Sequence, residues 1–399
     1  VLDAEGNRVG PGFIDLQING GFGIDLQSDP AAVWQLGERL PSIGVTAFLP
    51  TLTTNGHAHV AEALAALERR PVDYVGAEPL GWHLEGPWLS EAKRGAHARS
   101  KLEPIPDELP DWYAPEHGVA LVTLDPELPG AERAVATLVD RGVVVSFGHT
   151  AAAQPFADLA YGWGATMGTH LFNAMVGLHH RDPGLAATLL SERCSAFFGL
   201  IVDGEHVAPP LVDIAWRLAP DRLVLVSDAV APLGMTEQRV HRLDDGTLAG
   251  AVAGLDAGVR NLAAFTGCST GAAHRAASAR PADVLVDQTR GELWPGAPMP
   301  WCSTTMAAGG NDHRRRAGVS SRRLSRPPSS APVPRRWSCA RTRAVVMRPY
   351  PGGGHAPVPG RRGRVAACPA SSSVTSAHAT VCSPRNPSRS SVESSWSTP

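Results

Sequence analysis

Polar residues stand at the ends of apolar runs again and again in the first 230 positions of this chain. Gln17 and Asn19 close one such run, and Glu85, His149, His170, Asp203 with His206, and Asp228 close others. The stretch GWHLEGPW (81–88) poses the question most sharply, because an apolar run ends there on a carboxylate and is broken at once by Gly-Pro. A charge at a strand end is costly unless something pairs with it. Surface exposure would answer the cost, and so would a metal ion or a proton-transfer role. A metal that hydrolyses bonds needs neutral imidazoles and a carboxylate converging from different strands, with room left for water. Glu85, His149 and His170 supply one carboxylate and two imidazoles from three run ends. Asp228 ends the last run and could take a proton from the attacking water and return it to the leaving group. Blander readings stay open at this point. Glu85 could be an exposed strand end, His149 and His170 could be buried rings bonded to backbone, and Asp228 could cap the next helix.

The elements that must position these residues are legible from periodicity. Apolar runs lie at 11–18, 45–51, 80–87, 119–127, 143–150, 165–172, 197–206 and 223–229. Helical patterns fall between several of them, as at 59–70, 131–142 and 209–220. Alternating strand and helix predicts parallel strands and an α/β fold. Eight such units in about 220 residues fit a closed (β/α)8 TIM barrel, whose active sites are built at the C-terminal ends of the strands. A doubly wound open sheet is the alternative, weakened because no Gly-rich phosphate fingerprint follows the first strand.

Composition narrows the function classes. The 399 residues are 43% hydrophobic, enough for a sizeable core. No apolar run is long enough to span a bilayer, and the start, at Val1, lacks the pattern of a secretory signal. Cys302, Cys339, Cys368 and Cys382 lie beyond residue 300, leaving only Cys194 and Cys268 in the body. That is neither a disulfide framework nor a cysteine zinc site, and it fits a reducing cytoplasm. The net charge of −2 hides a split, since residues 310–399 carry 16 Arg, no Lys and only Asp312 and Glu393 as acids. The tail from 296 to 399 is rich in Arg, Ser and Pro without strand or helix periodicity, and is expected to be disordered.

Taken together, PGFIDLQING, HLEGPWLSEAKRGAHA, SFGHTAA, GTHLFNAM with HHRDPG, DGEHV and VSDAVAP resemble the N-acetylglucosamine-6-phosphate deacetylase family of the metal-dependent amidohydrolases. The resemblance runs from about residue 8 to about residue 295. It implies that Glu85, His149 and His170 hold one divalent metal, zinc or iron. Many amidohydrolases carry a His-x-His pair on the first strand and bind two metals, whereas this chain has Gln17-Ile18-Asn19. Amide side chains are poor ligands for such metals, so one metal is expected. Asp228 would be general base and then general acid, and His97 would help polarise the acetyl carbonyl. The backbone of Asn173 and Ala174, with Arg181 and His206, would grip the sugar phosphate. The segment 246–269 would close over the site. Some substrate contacts in the family come from a neighbouring subunit, which implies a homodimer. His83 is expected to pack beside the metal shell and Cys268 in the core, while His179 and His180 have no assigned role. The implied reaction is hydrolysis of the N-acetyl group of a small amino-sugar phosphate, with no membrane or nucleic-acid partner. Alternatives are a catalytically dead, truncated product and an amidohydrolase acting on another N-acyl or cyclic amide substrate.

Family members carry a small β-sandwich built from both chain ends. Here residues 1–10 read as its remnant, 11–295 as the barrel and 296–399 as a tail of another kind. Assigned GC-rich codons and read one base earlier, PMPWCSTTMAAGG (298–310) becomes an Asp-Ala-Val-Val-Leu strand followed by acids and glycines. A frameshift near Gly296 would therefore account for the tail. The alternative is a basic nucleic-acid arm, which would be expected to mix Lys with Arg and to interleave aromatics; this tail has no Lys.

Overall fold

The structure is a computed structural model, and it describes residues 8–235, 240–243, 246–293 and 301–304. Eight of its strands follow the apolar runs: β1 (Phe13–Ile18), β2 (Val45–Thr53), β3 (Trp82–Glu85), β4 (Val119–Leu124), β5 (Val144–Phe147), β6 (Met167–Gly168), β7 (Phe197–Leu200) and β8 (Leu223–Leu225). Each pairs in parallel with the next along the chain. The ends of β1 and β8 then meet. Ile18 bridges Ala229, Asp228 N–H donates to Gln17 O at 2.8 Å, and Asn19 N–H donates to Ala229 O at 2.7 Å. This nearly closed ring is the (β/α)8 barrel, and the open doubly wound sheet is ruled out by the seam.

Strands of such a barrel are covered on both faces, which is why they read as continuous apolar runs. Ile14, Leu16, Leu49, Leu121, Met167 and Val224 belong to a core that fills the interior. The outer faces meet α1 (Val33–Arg39), α2 (His57–Glu68), α3 (Ala131–Asp140), α4 (Gln154–Tyr161), α5 (Gly184–Leu190) and α6 (Pro209–Leu218). In α3 the buried residues are Ala131, Ala134, Val135 and Leu138, the spacing of one helical stripe. After β8 come α7 (Leu255–Thr266), α8 (Thr270–Ala276) and α9 (Ala279–Val284).

The third unit departs from the repeat, because only 3-10 turns lie between β3 and β4. Pro87, Pro104, Pro106, Pro110 and Pro115 punctuate that stretch, and proline inside a helix removes a donor and clashes with the preceding turn. The long loop is tied down instead by aromatic contacts, Trp88 on Tyr113 at 5.0 Å and Trp112 stacked on Tyr113 at 3.9 Å.

Gly86, immediately after β3, has φ +91°. A Cβ there would sit 2.2 Å from Thr54 Oγ1. Gly86→Ala should therefore destabilise the fold by about 2–3 kcal/mol, left-handed strain adding to overpacking. Urea unfolding of the two proteins would read this as a lower midpoint at unchanged slope.

Arg8–Pro11 pairs antiparallel with Trp301–Thr304. A four-residue strand thus lies inside the stretch that the sequence reading left without strands. The rest of the Arg-, Ser- and Pro-rich tail expected to be disordered lies outside the described residues. Among the described residues no helix is long and apolar enough to cross a membrane.

Candidate active site

The strand-end residues gather at one end of the barrel. Glu85 is the last residue of β3, His149 and His170 lie two residues beyond β5 and β6, and Asp228 lies three beyond β8. His149, His170 and Asp228 all adopt positive φ, at +48°, +29° and +48°. A side chain with a Cβ costs roughly 1–2 kcal/mol there. Three such turns at one barrel rim are held by the surrounding structure and aim their side chains inward, as strained residues at functional sites do.

What the two imidazoles aim at is Glu85 Oε1. His149 Nε2 lies 3.2 Å from it, His170 Nε2 lies 3.1 Å from it, and the two nitrogens are 3.1 Å apart. The partner atoms assign the protons. His149 Nδ1 faces the carbonyl of Lys93 at 2.8 Å, which can only accept, so Nδ1 carries hydrogen and Nε2 presents a lone pair. Burial lowers His149 to about 4, so this ring is neutral at physiological pH. Burial works against ionised Glu85, but the neighbouring His149, His170 and His97 rings outweigh it and hold Glu85 well below the usual carboxylate range. Burial likewise works against charged His170, yet the Glu85 carboxylate wins and raises it. The cluster therefore sets a carboxylate oxygen beside two imidazole Nε2 atoms, a setting that favours a positive charge there. That donor set, with nitrogen and oxygen ligands converging from three strands, fits a divalent metal of the zinc or iron kind.

His97 has the opposite tautomer. The backbone N–H of Thr54 donates to His97 Nδ1 at 3.1 Å, and Thr54 Oγ1 lies 2.8 Å from the same nitrogen. The hydrogen therefore sits on His97 Nε2, which points at Glu85 Oε2 from 3.5 Å. Donor atoms of Glu85, His97 and His149 all lie within 4.8 Å of one another, a group able to hold a metal. The proton on His97 Nε2 suits that ring to donate a hydrogen bond, while the lone pair on His149 Nε2 suits ligation.

Across from these rings, Asn19 Nδ2 donates to Asp228 Oδ1 at 2.8 Å. Gln17 Nε2 lies 3.3 Å from Asp228 Oδ1 and 3.0 Å from Glu85 Oε1. Reversing either amide would set a carbonyl against a carboxylate. Amide hydrogens thus stand between the two carboxylates where a second cation would otherwise be needed. Burial, then the Glu85 charge, pushes Asp228 up to about 6, against the opposing pull of His170, His206 and Asn19. A carboxyl group near that value can both take and return a proton close to neutral pH.

The remaining expected residues are placed unevenly. Asn173 follows the His170 turn and its N–H donates to His170 O at 2.9 Å, while Ala174 has φ +50°. His206 Nδ1 lies 2.6 Å from Asp203 Oδ2, and Asp203 Oδ1 accepts the N–H groups of Glu205 and His206. Burial raises Asp203, but its bonds to His206 prevail and keep it below the usual range. Arg181 is exposed, and its guanidinium bonds neighbouring His180 Nε2 at 2.6 Å. The segment after β8 runs beside Asp228, with Ala251 N–H donating to Asp228 O at 2.9 Å and Asn261 Nδ2 to Val202 O at 2.9 Å. Sequence reading missed Thr54 and Lys93, whose groups decide two tautomers. Two of those three partner groups are backbone atoms, which no residue type announces.

No family model matches the chain. It is 40% identical over 323 residues to a protein of Homo sapiens named N-acetylglucosamine-6-phosphate deacetylase, covering 74% of this chain and 79% of that one. It is 33% identical over 314 residues to a protein of Escherichia coli O157:H7 named N-acetylgalactosamine-6-phosphate deacetylase, covering 74% and 83%. Among solved structures, N-acetylglucosamine-6-phosphate deacetylase from Pasteurella multocida aligns with a TM-score of 0.71 at 27% identity, covering 76% of this chain and 84% of that one.

Proposed function

The chain belongs to the N-acetylglucosamine-6-phosphate deacetylase family, and on that premise we propose that it hydrolyses N-acetylglucosamine 6-phosphate to glucosamine 6-phosphate and acetate. The observation that carries this reading is the pair of opposite tautomers around Glu85, with Asp228 facing them. One ring is prepared to ligate, the other to donate, and a carboxyl group stands ready to move a proton.

Glu85, His149 and His170 would hold the metal, which supplies Lewis-acid polarisation of the acetyl carbonyl and lowers the pKa of water. Asn19 and Gln17 anchor Asp228 Oδ1, so Oδ2 takes the proton from the attacking water. As the C–N bond breaks, the same oxygen gives that proton to the departing nitrogen, and acetate leaves. His97 Nε2–H donates to the oxygen on which negative charge develops, a contact that strengthens in the transition state. Arg181 and His206 would supply cationic contacts to the phosphate and sugar, and the backbone at Asn173 and Ala174 further donors. Zinc as the first choice of metal and a homodimer belong to this reading and rest on the motif resemblance, and a cytoplasmic setting rests on the sparse cysteines of the body.

The test is acetate release from N-acetylglucosamine 6-phosphate by the full chain, before and after dialysis against a chelator. Activity should fall by more than about 10²-fold on chelation and return with zinc or ferrous iron. N-acetylgalactosamine 6-phosphate and unphosphorylated N-acetylglucosamine run beside it. A preference for the galacto epimer would move the substrate assignment, and no release from soluble, metal-loaded protein would overturn the reading.

A further inference from the structure

One buried histidine is left without work by the mechanism. His83 lies on β3 two residues before Glu85 and is 2% exposed. Its Nδ1 lies 3.2 Å from the carbonyl of Leu16 and 3.4 Å from Thr51 Oγ1. Its Nε2 lies 2.7 Å from Thr123 Oγ1. The carbonyl can only accept, so the hydrogen sits on Nδ1 and Nε2 accepts from Thr123. Thr123 has then spent its hydrogen, so Thr169, at 2.7 Å, must donate to it. Ser146, at 2.6 Å, must in turn donate to Thr169. Every hydrogen in this chain has one permitted direction, and the chain ends on Leu16 O.

Leu16 is where the barrel ladder slips. Asp15 pairs with Phe48 and Ile18 with Pro50, so β1 carries one extra residue there. Pro50, opposite, brings no N–H to the ladder. Bulges beside active sites re-aim side chains, and the residue after Leu16 is Gln17, whose amide touches both Glu85 and Asp228.

We propose that His83 is a positioning residue: its Nδ1–H holds the β1 bulge at Leu16 and thereby sets the Gln17 amide between Glu85 and Asp228. The proposal concerns how the proposed deacetylase site is organised and so rests on that reading, but it can be tested without turnover. Zinc affinity, read by competition with a chromophoric chelator, does not depend on which substrate is used.

The experiment is a double-variant cycle of His83→Phe and Gln17→Leu, with unfolding followed for each protein. Each single change should weaken zinc binding by about 10-fold, the scale of outer-shell changes, and the double variant should be no weaker than Gln17→Leu alone. In acetate release, kcat should fall with KM within about 2-fold. Should His83→Phe fail to fold, His83→Asn and His83→Gln decide the matter. Asn keeps a donor near the Nδ1 position and should bind zinc as the unaltered protein does, whereas Gln keeps only the far end and should behave like Gln17→Leu. Additive losses in the cycle, unchanged zinc affinity in folded His83→Phe, or equal effects of Asn and Gln would each overturn the proposal. Zinc behaviour as expected in a protein that releases no acetate would leave the positioning role standing and sink the deacetylase reading instead.

Discussion

Asp228→Asn lowers kcat for acetate release by about 10³-fold and leaves KM within a few fold, the pattern of a proton-transfer group lost from the transition state. Asn keeps the volume and can still face Asn19 and Gln17, so the barrel seam at Asp228 N–H to Gln17 O stays closed. What disappears is the carboxyl group that would take the proton and give it back. The pH profile checks the assignment further. Burial and the Glu85 charge push Asp228 up to about 6, and a bound cation draws it down again. In the unaltered enzyme kcat/KM should therefore rise with pH along an acid limb at about pH 6 or below, because the working form is the carboxylate. In Asp228→Asn that limb should vanish. A variant that keeps a tenth of the activity and the same limb would move the general base elsewhere.

Glu85→Gln removes the metal and with it the activity. His149 Nε2 and His170 Nε2 share the Glu85 carboxylate, at 3.2 and 3.1 Å. Removing one partner from a buried charged set costs about 3–5 kcal/mol, and at about 1.4 kcal/mol per tenfold a loss of that size in zinc binding is roughly 10²- to 4 × 10³-fold. Metal analysis of the purified variant should find it empty at zinc concentrations that fill the parent protein, with acetate release at background. Zinc retained at parental affinity would mean that the cluster is not the metal site.

Much of this was legible in one dimension. All eight apolar runs became barrel strands, and the helical patterns at 59–70, 131–142 and 209–220 became α2, α3 and α6 within two residues of either boundary. A strand covered on both faces must be apolar along its length, and a helix covered on one face must be apolar at one spacing, so residue order records both. The residues Glu85, His149, His170 and Asp228 could be picked out for the same reason. A polar side chain that closes an apolar run is conspicuous by its type alone.

The helix missing from the third unit was readable in principle from five prolines, but the aromatic contacts that tie its loop down were not. The placing of Arg181 was equally hidden, since a basic residue near a site motif gives no sign of whether its loop folds inward or out to solvent. Residue types and their spacing decided the fold class and which side chains could do chemistry. Tertiary contacts decided what state each of those side chains is in. Lys93 O puts the hydrogen of His149 on Nδ1 from 56 positions away, Thr54 N–H puts that of His97 on Nε2 from 43, and Asn19 reaches Asp228 across 209. Two of those partners are peptide groups, present at nearly every position and different at none. Their effect arises only when the barrel closes and the dry interior makes one particular neighbour count.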